Sequence, residues 1–425
     1  MKPNVKKLPG SKSQKILSRL NKINLGGSIT YPFVHSHKGQ GCYFYDVDNN
    51  LFLDFASQIA SNPLGYNNKD LKKIIQKHSK REPIKYAGQD FIVKEHLELL
   101  EELLTITPKT LNSAFLINSG AEAVENTIKL CMRKRPKTKF GISFKGSFHG
   151  RTLGALSLTH SKEVYKKNYL QISNKKLSFN EDASDQLKKI IKKNGSSSIG
   201  FVIMEPIQGE GGYNVASKKM LKDLRKTTKQ YNIPLISDEV QSGMGRTGEW
   251  WAINNFNVTP DLMSSAKALQ VGASIANKKF TPESGAISST WGGGHILDLA
   301  LGLETIKIIK RKKLLNNIKK TGDYMKKRLN ELNIKNQRGI GLMQAFDLDN
   351  KKMRDDVLIE CLKNGLVLLG CGHEGIRLIP PYITTIKEID QAIDILDSSI
   401  KRCTKKLFKH KGLICSYMNC GDTPT

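Results

Sequence analysis

Through the middle of the chain, short apolar runs alternate with longer stretches of helical spacing, and each run stops abruptly at a polar or charged residue. A strand buried on both faces reads as a continuous apolar run, and such runs separated by helix-length segments make βαβ units with a mostly parallel sheet. Residues 114–117, 199–204, 234–237 and 262–266 are read as strands, and 121–132 as a helix whose Ala121, Val124, Ile128 and Cys131 share one face. Asn118-Ser119-Gly120 follows the first run, Glu205 the second, Asp238-Glu239 the third and Lys267 the fourth. In an open α/β sheet, ligands bind in the crevice outside the carboxyl ends of the strands. Residues far apart in sequence are therefore expected to converge on one site.

The chain has 425 residues, enough for about two or three domains or one large α/β enzyme fold. No strand-end polar residue of this kind is read before about Asp70. Residues 1–70 and 310–402 are accordingly assigned to a smaller α+β domain and 71–309 to the large domain. Glycines 339, 341, 365, 370 and 372 mark turns in the later part. Residues 403–425 lose periodicity and are expected to form a loosely held tail with no catalytic role.

Several classes are excluded early. No apolar stretch approaches the roughly 18–20 residues of a membrane helix, so no membrane partner is expected. The first 45 residues lack Asp and Glu, but they are Lys-rich rather than Arg-rich and have no apolar signal core, which argues against an export leader. Seven cysteines form no C-x-x-C pair and have no zinc-like histidine spacing, so a reduced, cytoplasmic compartment and no metal are expected. The formal charge is +29, from 68 Lys and Arg against 39 Asp and Glu. Clusters such as 310–313 and 401–411 have the charge of a nucleic-acid patch. Their lysines alternate with Leu, Ile and Met at helical spacing, however, as in 308–332, and the preferred reading is a solvated helix face. The excess charge can also draw in acidic substrates.

Three positions carry the chemistry. Ser119-Gly120-Ala121 stands where a strand meets a helix, so backbone N–H groups, the helix dipole and the hydroxyl can hold a phosphate; a serine there is equally an ordinary N-cap. Lys267 closes an apolar run, where an amine needs a partner or a lowered pKa and is suited to a Schiff base with a carbonyl; the alternative is a lysine reaching water past a strand end. Asp238, at a strand end, can keep the pyridine nitrogen of pyridoxal phosphate protonated. Together they specify that cofactor better than any one alone.

With these residues in place, the chain resembles the class III (ω-amino-acid) aminotransferases of the fold-type I pyridoxal-phosphate family, from about residue 8 to 399. The resemblance rests on Leu8-Pro9-Gly10, Ser119-Gly120-Ala121-Glu122-Ala123, Phe148-His149-Gly150-Arg151-Thr152, Glu205-Pro206-Ile207-Gln208-Gly209-Glu210-Gly211-Gly212, Asp238-Glu239-Val240-Gln241-Ser242-Gly243, Lys267, Ser289-Thr290-Trp291-Gly292-Gly293 and Ile376-Arg377-Leu378-Ile379-Pro380-Pro381. It implies that the large domain binds pyridoxal 5'-phosphate. Lys267 is implied to form the Schiff base and shuttle the proton, Asp238 to pair with the ring nitrogen, and Gln241 to bond near the phenolic oxygen. Phe148 is implied to stack on the ring, and His149 and Glu205 to belong to the cofactor-binding set. Ser119, Gly120 and Ala121 would hold the phosphate, with Thr290 reaching it from a neighbouring subunit of a homodimer. Arg151 would grip the donor's remote carboxylate and Arg377 the α-carboxylate of 2-oxoglutarate, with Glu210 masking Arg377 when the donor offers none.

The match has departures. Lys267 is not followed by the usual Gly-Gly, and Ala266 replaces a frequent serine. The segment around Lys267, with 289–293 and 338–343, is similar to lysine 6-aminotransferases, whereas the opening segment and 365–370 are similar to prokaryotic 4-aminobutyrate aminotransferases. His149-Gly150-Arg151 also occurs in acetylornithine aminotransferases. The expected donor is 4-aminobutyrate, then lysine, then acetylornithine, with an aminomutase as a further enzymatic option. The rival from another class is a basic protein that recruits RNA or membrane.

Overall fold

The computed structural model describes residues 1–25, 31–80, 91–287 and 295–405. The chain divides into two units, Lys69–Asn316 and Met1–Asn68 with the part from Asn317 onward.

The Lys69–Asn316 unit is built on a seven-stranded sheet in the order Ser113–Ile117, Gly272–Ala276, Leu262–Ser265, Leu235–Asp238, Ile199–Met204, Phe140–Phe144, Asn174–Leu177. Six strands point one way. Gly272–Ala276 alone runs antiparallel to both its neighbours. Parallel neighbours require a crossover, supplied here by helices such as Ala183–Asn194 and Lys218–Gln230, whereas an antiparallel neighbour can follow a tight turn. That difference places Lys267 in the short turn between Leu262–Ser265 and Gly272–Ala276. Ile199–Met204 is buried along its whole length, as its unbroken apolar sequence requires.

The helix Gly120–Arg133 lies on the sheet through Val124, Ile128 and Cys131, which pack with Phe201, Ile203, Ile236 and Leu262 in one core cluster. Each such side chain contributes roughly 1.5–3 kcal/mol by leaving water. This packing fixes the helix N-terminus at the carboxyl edge of the sheet, where the preceding strand delivers Asn118 and Ser119.

The other unit carries a four-stranded sheet of His35–Gln40, Tyr43–Asp46, Leu51–Asp54 and Leu366–Val367, and a second of Lys335–Ile340, Met343–Asp347, Gly375–Leu378 and Leu369–Cys371. Contrary to expectation, the opening segment does hold a strand-end polar residue. Asp54 is buried at the end of Leu51–Asp54, where Oδ1 accepts from the Ala56 and Ser57 N–H groups at 2.9 and 2.8 Å and Oδ2 from the Tyr66 hydroxyl at 2.8 Å. These bonds clasp a turn in which Ser57, Gln58, Ile59 and Ala60 all have φ between 46° and 68°. Left-handed conformations at non-glycine residues persist only where surroundings over-determine them, and the Asp54 clasp does so here. The helix Ile386–Lys405 runs past the expected start of the tail at residue 403, with Cys403 buried. No helix among the described residues is long and apolar enough to cross a membrane.

Candidate active site

Lys267 follows Ala266, whose φ of −166° and ψ of −144° take the chain out of the sheet ladder. Lys267 itself has a φ of 49°, strained for a side chain branching from an L-residue, and the strain is held by one short turn of helix. Both the backbone N–H and the side-chain amide of Gln270 donate to the Lys267 carbonyl, at 2.9 and 3.0 Å. The Lys267 side chain is half-buried.

On the adjacent strand, Asp238 is buried and fully specified. Oδ1 accepts from the Val240 N–H at 3.1 Å and the Ser264 hydroxyl at 3.0 Å, while Oδ2 lies 2.8 Å from Nδ1 of the buried His149. A carboxylate only accepts, so Nδ1 of His149 carries the shared proton. Nε2 of His149 is buried with no hydrogen-bond partner among the described residues. Oδ2 of Asp238 has one lone pair committed to His149, and a carboxylate oxygen can accept a second donor. A protonated ring nitrogen is such a donor.

Two further carboxyls line the same strand ends. Glu205, just beyond Ile199–Met204, accepts from the Phe148 N–H at 2.9 Å and the Gly209 N–H at 2.8 Å. Burial pushes its carboxyl up to about 7, with nearby His149 opposing the rise and Asp238 adding to it. Glu239 accepts from the N–H groups of Ala252 and Ile253 and the hydroxyls of Ser237 and Ser242, and burial likewise pushes it up to about 7. Glu239 thereby ties the strand end to the turn that carries Gln241.

Close backbone approaches bring these pieces together. A Cβ on Gly120 would stand 2.8 Å from Val240 and 3.4 Å from the Ala266 side chain, so the helix N-terminus abuts both the Asp238 and the Lys267 segments. A Cβ on Gly150 would stand 2.7 Å from that of Ala121, which brings the Phe148–Arg151 loop to the same helix end. Ser119 caps the helix by accepting from the Glu122 N–H at 3.2 Å, and the Gly120 and Ala121 N–H groups have no partner within the helix. The cap role and an anion-binding role therefore coexist, and the donor set suits a phosphate. Carboxylate, lysine and cationic helix end together fit pyridoxal phosphate.

Arg151 is exposed, its guanidinium carbon 4.0 Å from the centroid of the Tyr165 ring and 5.9 Å from that of Phe148. No carboxylate among the described residues pairs with it. Gln241 borders the loop at Gly209, beside the half-buried Glu210. Arg377 stands on Gly375–Leu378 in the other unit, between Ala345 and Leu369, and is 3% exposed. Thr290, with the rest of 288–294, lies outside the described residues.

Sequence reasoning passed over Ser264, Thr159 and Tyr165. Ser264 was detectable as a hydroxyl inside an apolar run, which must find a buried partner. Thr159, which accepts the His149 N–H at 2.9 Å, and Tyr165, which faces Arg151, carry no comparable signal.

The family model described as aminotransferase class-III matches residues 28–400. The acetylornithine aminotransferase of Archaeoglobus fulgidus is 34% identical over 365 residues, covering 84% of this chain and 93% of that protein. The 4-aminobutyrate aminotransferase of Dictyostelium discoideum is 30% identical over 451 residues, covering 94% of this chain and 91% of that protein. Among solved structures, a lysine aminotransferase from M. tuberculosis superposes with a TM-score of 0.86 at 24% identity, covering 93% of this chain and 100% of that one, a likeness of fold.

Proposed function

We propose that this chain, which belongs to the class III aminotransferases of the fold-type I pyridoxal-phosphate group, moves the terminal amino group of an ω-amino acid onto 2-oxoglutarate. Enzymes of the class depend on pyridoxal phosphate, so the chain is a pyridoxal-phosphate transferase. The single observation that carries the donor class is Arg151, an arginine with no carboxylate partner among the described residues, standing on the loop that meets the cofactor-binding helix end. A planar guanidinium suits bidentate capture of a carboxylate, and a donor held there presents the amine at its far end.

When bound, the cofactor supplies a carbonyl for the amine and a protonated ring that draws electrons from the carbon losing its proton. Asp238 would keep that ring protonated, and His149 fixes the carboxylate by donating from Nδ1. Ser119, Gly120 and Ala121 would hold the phosphate, and Thr290 would add a donor from a second subunit of a homodimer, as the family resemblance implies. Phe148 would help hold the ring and exclude water, and Gln241 would supply a polar group to it, as the family resemblance implies. Glu205 fixes the Phe148 backbone and shares its field with His149 and Asp238. Lys267 anchors the cofactor and moves the proton at Nζ. Arg151 would orient the donor, and the family resemblance implies that Arg377 would take the acceptor's α-carboxylate and Glu210 would mask it in the donor half-reaction.

The donor of first choice is 4-aminobutyrate. N-acetylornithine is a second reading favoured by the relatives, because it too separates a terminal amine from its carboxylate. The ε-amine of lysine comes third. A donor panel with 2-oxoglutarate, read as glutamate formed, tests the proposal. At least one terminal-amine donor should exceed α-amino donors such as alanine by about tenfold or more in kcat/KM, equivalent to about 1.4 kcal/mol. Glutamate formation from α-amino donors alone would overturn it.

A further inference from the structure

Arg151 is the residue through which the proposed donor class is read, and no ion pair among the described residues holds it. We propose that Tyr165 is a positioning residue that sets donor specificity: its ring face carries the Arg151 guanidinium, leaving the N–H edge to a substrate carboxylate. This deepens the reading given above and rests on it.

The geometry suits that task. A guanidinium 4.0 Å from a ring centroid is attracted by the negative face of the ring, an interaction that uses none of its N–H donors. A carboxylate in place of the ring would hold Arg151 equally well but would compete with the substrate. Tyr165 also meets Phe148 edge to face, with centroids 6.0 Å apart, so one aromatic wall runs from the proposed cofactor face to the arginine.

Something must hold Tyr165, because it sits in a short turn of helix, Glu163–Tyr165, whose middle residue Val164 is exposed, as is Lys167 just beyond it. The next residue is the anchor. Lys166 is 6% exposed, and its amine lies 2.6 Å from Nδ1 of His160. On the far side of that imidazole, Nε2 faces the Asn174 Oδ1 at 3.1 Å and the Ser143 hydroxyl at 3.0 Å. The Asn174 amide nitrogen donates to the Ser157 and Ile172 carbonyls, which fixes its oxygen toward the histidine. His160 therefore carries its proton on Nε2 and accepts from Lys166 through Nδ1. Burial first, and the Lys166 amine second, push the His160 imidazole down to about 4, so it stays a neutral acceptor at working pH. A buried lysine is expensive unless bonded in this way. The arrangement roots the turn in the sheet through Ser143, on the Phe140–Phe144 strand, and leaves the Tyr165 ring pointing at Arg151.

The test uses the holoenzyme and two donors that differ only at one end, 4-aminobutyrate and butylamine, with butyrate as a non-reacting carboxylate probe. Tyr165→Leu is expected to raise KM for 4-aminobutyrate and the butyrate dissociation constant by about tenfold, with kcat changing less than KM, and to lower the 4-aminobutyrate to butylamine rate ratio by the same factor. Tyr165→Phe keeps the ring face and should keep the ratio near the parent value. Lys166→Met, which unroots the turn, should lower the ratio in the direction of Tyr165→Leu, and it decides the matter if Tyr165→Leu does not fold. Equal losses on both donors in Tyr165→Leu, or a Tyr165→Phe as impaired as the leucine variant, would overturn the proposal while Arg151→Ala still discriminates against 4-aminobutyrate. If Arg151→Ala slows both donors equally, the underlying assignment of Arg151 falls, and this one with it.

Discussion

Glu205 and Glu239 sit buried among backbone N–H donors, and burial outweighs those donors enough to bring both carboxyls up to about 7 from an ordinary 4.5. Each binds its proton more readily in the folded chain than in the unfolded one. Its contribution to stability is fully present below pH 4.5 and is lost as pH rises through about 7. The expected loss is on the order of 3 kcal/mol per group, so the unfolding midpoint should fall between about pH 5 and pH 8. Glu205→Gln should be less stable at acid pH but show about half the slope; thermal unfolding at several pH values checks this, and a midpoint that rises over that range contradicts it. At this scale the sequence was informative wherever a charged residue ended an apolar run, as with Asp238 and Lys267. It was silent on Tyr165 and Thr159, whose roles come from a neighbour brought up by tertiary folding.

Single elements carry the binding surfaces, and the N-terminus of Gly120–Arg133 is the clearest. Ser119 serves two ends there: it caps the helix through the Glu122 N–H, and its hydroxyl stands beside the Gly120 and Ala121 donors. Ser119→Ala should cost about 1 kcal/mol of stability without cofactor and weaken cofactor binding about tenfold in equilibrium dialysis. An unchanged dissociation constant would remove Ser119 from the phosphate site. The residues 199–204 were legible as a strand because every one is apolar and buried. Gly272–Ala276 was not, since Gly-Ala-Ser-Ile-Ala has neither the bulk nor the alternation that marks a strand, and its antiparallel direction follows from the tight turn at Lys267 rather than from its composition. The third strand runs Leu235–Asp238 rather than 234–237, because proline has no N–H for the ladder and Asp238 extends the pairing by one residue opposite Ser264. Asp54 was missed as a strand-end carboxylate because the strand it closes is short and its apolar run continues through Phe55 and Ala56.

The charge of +29 acts over the whole molecule. Exposed lysines on Ala183–Asn194 and Lys218–Gln230 make i,i+3 and i,i+4 pairs with Asp185 and Asp223, as solvated helix faces do. A positive exterior raises the local concentration of an anionic acceptor such as the proposed 2-oxoglutarate, and salt screens that field with a Debye length of about 10 Å at 0.1 M. Raising salt from about 0.02 to 0.5 M should therefore raise KM for 2-oxoglutarate several-fold and leave kcat little altered; a salt-independent KM would exclude steering. Lys267 is the lysine proposed to carry the cofactor. Borohydride reduction of the holoenzyme, followed by peptide mass spectrometry, should find the pyridoxyl group fixed to Lys267 and lost in Lys267→Ala, whereas a group fixed to any other lysine would contradict it.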